Sequence, residues 1–275
     1  MARSMPHDPH ELGMLTTFCL RLAFGMIAAL LLLSSKEVNP RFFRTHFLVA
    51  LGLVCLAWIL AFPVISDDAT LGSPVFAWTV RWLVFPLAIL CCLGSISWSL
   101  EGHPGSHAIG IATAAILMVA LALRSAITAK KQGLEFALVY VGELTSAALL
   151  GAAVTAMLLG HFYLIAPGMS LSPLLRMLTV LFIDIALRLV LAGWGLWTWT
   201  GDHSILNWED ESVLWLPVRW GLGFVGPLIL GWMARSATKI RSTQSATGIL
   251  YVVVIFCFLG ELTSQLLTAN TGYLL

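Results

Sequence analysis

Six ionisable residues stand inside apolar stretches where a charge is costly: Arg21, Glu143, Asp184, Arg188, Arg219 and Glu261. A charged side chain in hydrocarbon costs several kcal/mol unless it is paired or hydrated, so each is a candidate for function. Asp184 and Arg188 are four residues apart, hence on one face of a helix, and are expected to pair with each other. The three arginines and three acids sum to zero charge, as a mutually neutralised internal cluster requires. Such a cluster could bind a polar headgroup, a quinol or an ion, and its carboxylates could relay protons. The competing role is structural, because polar contacts between helices also hold membrane bundles together.

Glu143 and Glu261 share a local sequence. Gly142-Glu143-Leu144-Thr145-Ser146 returns intact as Gly260-Glu261-Leu262-Thr263-Ser264. Arg124-Ser125-Ala126 precedes the first copy and Arg235-Ser236-Ala237 the second, with spacings that differ by seven residues. The glycine before each glutamate lets a neighbouring helix or a ligand come close to the acid.

Four histidines form a second group. His46, His103, His107 and His161 all fall at one set of helix ends. Two on facing helices, His46 and His161 being the candidates, could ligate a b-type haem, and one could accept a proton from a quinol. Their position at or beyond the membrane edge favours the ordinary role of a solvated polar anchor. The run Leu159-Gly160-His161-Phe162-Tyr163-Leu164 sets an imidazole beside two aromatics, which are the parts of a quinone pocket and also of a membrane interface. A metal site from Glu101, His103 and His107 is the weaker reading because the spacing is loose. The five cysteines, Cys19, Cys55, Cys91, Cys92 and Cys257, lie in apolar segments without metal-binding or c-type haem spacing and read as small buried hydrophobes. Phosphate-binding glycine loops, HExxH and GxSxG are absent from the sequence, which argues against a self-contained hydrolase.

Positioning these residues requires membrane helices. Hydrophobic residues make up 59% of the 275-residue chain and charged residues 11%, and the mean hydropathy is +0.91. A soluble domain carries about a quarter charged residues. Apolar runs near 20 residues, without period-two alternation, predict an all-α polytopic bundle rather than a barrel. About eight spans are expected, at roughly 12–34, 43–65, 76–98, 108–128, 134–162, 172–199, 213–234 and 247–269, in a single integral membrane domain over 1–275. The polar, acid-containing start of the chain is unlike a signal peptide, so the first helix is expected to be retained. A net charge of +1 gives no reason to expect nucleic acid.

With eight spans, one face holds Lys36, Arg41, Arg44, Arg176, Arg235, Lys239 and Arg241, and the other holds Arg3, Arg81, Arg124, Lys130 and Lys131. Seven against five places both termini outside the cytoplasm. Trp194, Trp197, Trp199, Trp208 and Trp215 bracket the acidic Asp202–Glu211 loop as an interfacial aromatic belt. At about 1.5 Å per residue, Arg21 and Glu143 lie about 13 Å in from the extracytoplasmic end and Glu261 about 12 Å. All six charges could therefore meet in the outer half of the bundle. The two copies of the repeated motif belong to hairpins of inverted orientation, an arrangement common in transporters.

The chain resembles the NrfD/DmsC-type membrane anchors of molybdopterin oxidoreductases. The resemblance rests on the eight-helix plan, the length, the opening His10-Glu11-Leu12 with Thr16-Thr17-Phe18, and the closing Gly260-Glu261-Leu262. Gln265 departs from it, standing where an arginine is expected. The resemblance implies a multi-pass subunit without a covalently bound cofactor that binds menaquinol or ubiquinol. It would pass electrons to an iron–sulfur or cytochrome partner in the cell membrane, the bacterial inner membrane. Glu261 would be the closing-helix glutamate, and burial suggests Glu261 or Glu143 for quinol deprotonation, with Arg21, Asp184, Arg188 and His161 as substrate-binding candidates. At most the chain would be the quinol-oxidising subunit of an oxidoreductase. The alternatives are a secondary transporter or ion-conducting protein using the carboxylate cluster, and an accessory or assembly subunit whose charges only pack helices.

Overall fold

The computed structural model describes residues 9–66, 74–100, 105–132, 134–166, 168–202 and 211–275. Asp67, Asp68, Glu101, His103 and Trp208–Asp210 lie outside them. The described chain is helical throughout: α1 (Pro9–Leu31), α2 (Pro40–Ser66), α3 (Pro74–Ser99), α4 (Ser106–Gln132), α5 (Phe136–Ile165), α6 (Ser172–Asp202), α7 (Glu211–Trp220), a π-turn (Gly221–Val225), α8 (Gly226–Lys239) and α9 (Thr243–Thr271). Helices α7 and α8 form one span interrupted by the π-turn, which gives the eight-helix bundle that the apolar runs predict. Seven of these spans are long and apolar enough to cross a membrane, and the chain is a multi-pass membrane protein.

Local chemistry sets the helix ends. Helices α1, α2 and α3 each begin on a proline, whose fixed φ suits the first helical position and whose missing N–H is not needed there. Asn39 caps α2 by accepting from the Arg41 N–H at 2.9 Å. Helix α8 ends with Arg241 in the left-handed region (φ 59°), while the Ser242 and Arg241 amides donate to the carbonyls of Ala237 and Thr238, each at 3.0 Å. This Schellman-type end reverses the chain directly into α9.

Helices α1–α4 pack together as one group and α5–α9 as another, and the groups join chiefly where α1 lies along α5. Two glycines set that seam. A Cβ on Gly25 would fall 1.7 Å from the Ala147 carbonyl oxygen, and one on Gly151 2.0 Å from the Gly25 carbonyl carbon. The two backbones are therefore in contact, as small residues permit in membranes. Arg21 lies one turn from Gly25, so this contact also brings its guanidinium level with the first turns of α5.

Helix α9 runs antiparallel to α5 and packs on it, with the Gly160 position of α5 against Thr247 of α9. The side of the bundle where α1 begins is called the N-side below, and the other the far side.

Candidate functional site

Five of the six intramembrane charges converge. Arg21 on α1 grips Glu143 on α5 through Nε to Oε2 at 2.5 Å and Nη2 to Oε1 at 2.6 Å. Its Nη1 lies 3.4 Å from the hydroxyl of Ser146. Arg188 on α6 grips Glu261 on α9 with the same two nitrogens, Nε to Oε1 at 3.1 Å and Nη2 to Oε2 at 2.7 Å, and Nη2 also donates to Ser264 at 3.0 Å. Each copy of the repeated motif thus uses its glutamate and the serine three residues on, one helical turn away, to clamp one arginine.

The two clamps are joined. Ser146 of the first copy donates to Glu261 Oε2 of the second at 2.5 Å. Gln265, with its amide set by its hydrogen bonds, accepts from Arg21 Nη1 at 2.7 Å and donates to the Met14 carbonyl at 3.1 Å. An arginine at 265 would oppose Arg21, which gives a physical reason for glutamine there. Arg219 on α7 adds a third guanidinium, with Nη1 donating to Glu261 Oε1 at 3.1 Å. Glu261 is fully buried and receives Ser146, Arg188 and Arg219.

The network draws on α1, α5, α6, α7 and α9 at similar depth. Its members lie seven to fourteen residues from the N-side ends of their helices, about 10–21 Å at ~1.5 Å per residue. The meeting of Arg21, Glu143, Arg188, Arg219 and Glu261 at one level agrees with their depths in the sequence, whereas Asp184 takes no part in it.

The backbone around Glu261 is shaped by glycine. A Cβ on Gly260 would lie 2.3 Å from Gly223 Cα, so α9 meets the π-turn at backbone contact. A Cβ on Gly223 would come within 2.9 Å of Arg219 Nη1. On the N-side the chain folds back after Gly272, whose φ is 76°. A Cβ on Gly195 would lie 1.9 Å from the Leu274 carbonyl oxygen, and Ser264 donates to the Leu275 carbonyl. The segment after α9 therefore covers the network between α5, α6 and α9.

Two expectations are corrected. Asp184 and Arg188 share a face but do not pair, because the Arg188 guanidinium is taken by Glu261 and Ser264. Asp184 is buried, and its Oδ2 has no hydrogen-bond partner among the described residues. The neutral six-residue cluster is therefore a five-residue network of three guanidiniums and two carboxylates, with one excess positive charge. The structure also separates His161 from the others: it is exposed, eighteen residues along α5 from Glu143, or about 27 Å.

His46 is not a solvated anchor. It is fully buried, with Nδ1 3.0 Å from the Phe42 carbonyl and Nε2 3.3 Å from the Thr155 hydroxyl, so protein groups occupy both ring nitrogens. His107 sits beside Trp98 (5.3 Å between centroids), at a small apolar pocket on the far side lined also by Phe43, Phe47 and Gly110. Among the described residues no group of three or more His, Cys, Asp or Glu is placed to hold a metal. Of the tryptophans, Trp194, Trp197 and Trp215 are exposed as a belt requires, whereas Trp199 is buried against Leu267 and Leu275.

Ser146, Ser264 and Gln265 as ligands of the charges, and the π-turn beside Arg219, were not read from the sequence. The serines were visible as the last residue of each repeated motif, one turn after the glutamate. The π-turn carries no period of its own. Three glycines in Gly221–Gly226 were its one sequence mark.

No protein-family model, curated protein or solved structure matches the chain.

Proposed function

We propose that this chain is an integral membrane subunit that binds a quinone or quinol at the five-residue network and passes electrons to a partner redox subunit. The observation that carries this reading is the linking of two carboxylates, Glu143 and Glu261, through Arg21 and then Ser146 within the apolar bundle. Oxidation of a quinol releases two electrons and two protons. On this reading Glu143 and Glu261 take the protons, giving up their ion pairs with Arg21 and with Arg188 and Arg219 as they are neutralised, and the electrons leave to an iron–sulfur or cytochrome subunit. The resemblance to NrfD/DmsC-type anchors, carried by Gly260-Glu261-Leu262 and the opening segment, supports the same reading. On this reading the complex sits in the cell membrane, the inner membrane of a bacterium.

A second reading, secondary transport, is favoured by the placement of the two motifs on antiparallel helices. Against it, the motifs meet at one depth instead of mirrored depths. Gentle purification from the native membrane separates the two. A quinol-oxidising subunit brings down a partner whose redox centre is reduced on adding quinol. A chain that purifies alone and moves a solute in liposomes contradicts the proposal, and one that does neither leaves an accessory, helix-packing role.

A further inference from the structure

The Arg219 side chain is incompletely used. It is fully buried, its Nη1 donates to Glu261 Oε1 at 3.1 Å, and its guanidinium lies 4.2 Å from the centroid of the Phe224 ring. Nε and Nη2, on the rest of the guanidinium rim, have no acceptor among the described residues. A guanidinium presents five donors in a planar fork, and donors left unmade in a dry site are costly. The excess positive charge of the network points the same way.

The surroundings are built for this side chain. Gly223 and Gly260 leave the room that a Cβ on either would take from Nη1 or from the facing helix. The π-turn follows Arg219 directly, and such turns inside α-helices are concentrated at functional sites. Trp220 and Phe224 stand edge to face beside it, at 5.4 Å between centroids.

We infer that the Nε/Nη2 edge of Arg219 is a binding site for an oxygen acceptor, which on the quinone reading is a ring oxygen of the quinone. The inference rests on that reading for the identity of the ligand and on the unsatisfied donors for the site. Arg219 is thus a binding residue, and the network beyond it supplies the proton acceptors.

The test uses the full-length chain, purified in detergent and depleted of lipid. It is titrated with a short-chain menaquinone, a short-chain ubiquinone and inorganic phosphate, reading tryptophan fluorescence and melting temperature. Arg219→Gln removes the fork. Arg219→Lys keeps a cation for Glu261 but loses the planar edge, so it serves if the glutamine variant fails to fold. The expected result is saturable quinone binding weakened at least about tenfold in both variants. Quinone binding that is unchanged in a folded Arg219→Lys protein overturns the Arg219 site and leaves the quinone reading standing. Binding of phosphate but neither quinone, lost in the variants, overturns the quinone reading and keeps the oxygen-acceptor site. No binding of any probe overturns both.

Discussion

The Ser146 hydroxyl donates to Glu261 Oε2 at 2.5 Å, so the serine of one copy of the repeated motif serves the glutamate of the other. This bond ties α5 to α9 and makes one network of two arginine clamps. The repeat is thus a joint between helices as well as a pair of similar segments.

Ser146→Ala removes a donor from a buried carboxylate that keeps Arg188 and Arg219. The expected loss is about 1–2 kcal/mol of stability, with Thr145→Ala, whose hydroxyl bonds only to its own helix backbone, as the near-neutral control. Thermal unfolding in detergent measures both.

Arg21→Met strands the Glu143 carboxylate and is expected to cost about 3–5 kcal/mol. Arg21→Met with Glu143→Leu removes both charges and should recover most of the loss. A double variant as unstable as the single one would show that the pair is held by something other than charge compensation.

Asp184→Asn with Arg188→Lys tests the absence of a pair within α6. Asp184 accepts no bond at Oδ2 and Arg188 is committed to Glu261, so a double-mutant cycle between them should give a coupling near zero, below about 0.5 kcal/mol. The same cycle between Arg188 and Glu261 should give a large one.

Gly260→Ala places a methyl 2.3 Å from Gly223 Cα and is expected to destabilise by about 1–3 kcal/mol, because two backbones must separate. Gly248→Ala, on the same helix with nothing within 4 Å, should be neutral or stabilising. Melting temperatures of the two variants, compared directly, check this.

Much of the bundle was legible in the sequence because lipid enforces continuous apolar helices, and their length and punctuation survive in the residue order. The depth of Arg21, Glu143 and Glu261 followed from the same arithmetic, so their meeting could be anticipated. Which acid each arginine would choose could not. Asp184 and Arg188 satisfy the four-residue rule, yet α9 offers Arg188 a carboxylate and a serine together, and tertiary packing overrides the local pair. His46 shows the same effect: a residue near a helix end is drawn inside by Phe42 and Thr155, a partner 109 positions away. The π-turn stayed hidden because it arises where Gly223 must meet Gly260, a contact between distant segments.

The most direct measurement is extraction and identification of quinone from gently purified wild-type protein and from Glu143→Gln, Glu261→Gln and the double variant, alongside an optical spectrum. The account predicts quinone retained by the wild type and lost from the double variant while the protein remains folded. Wild-type protein that carries no quinone, or a folded double variant that keeps it, would contradict the assignment of the network as a quinone site.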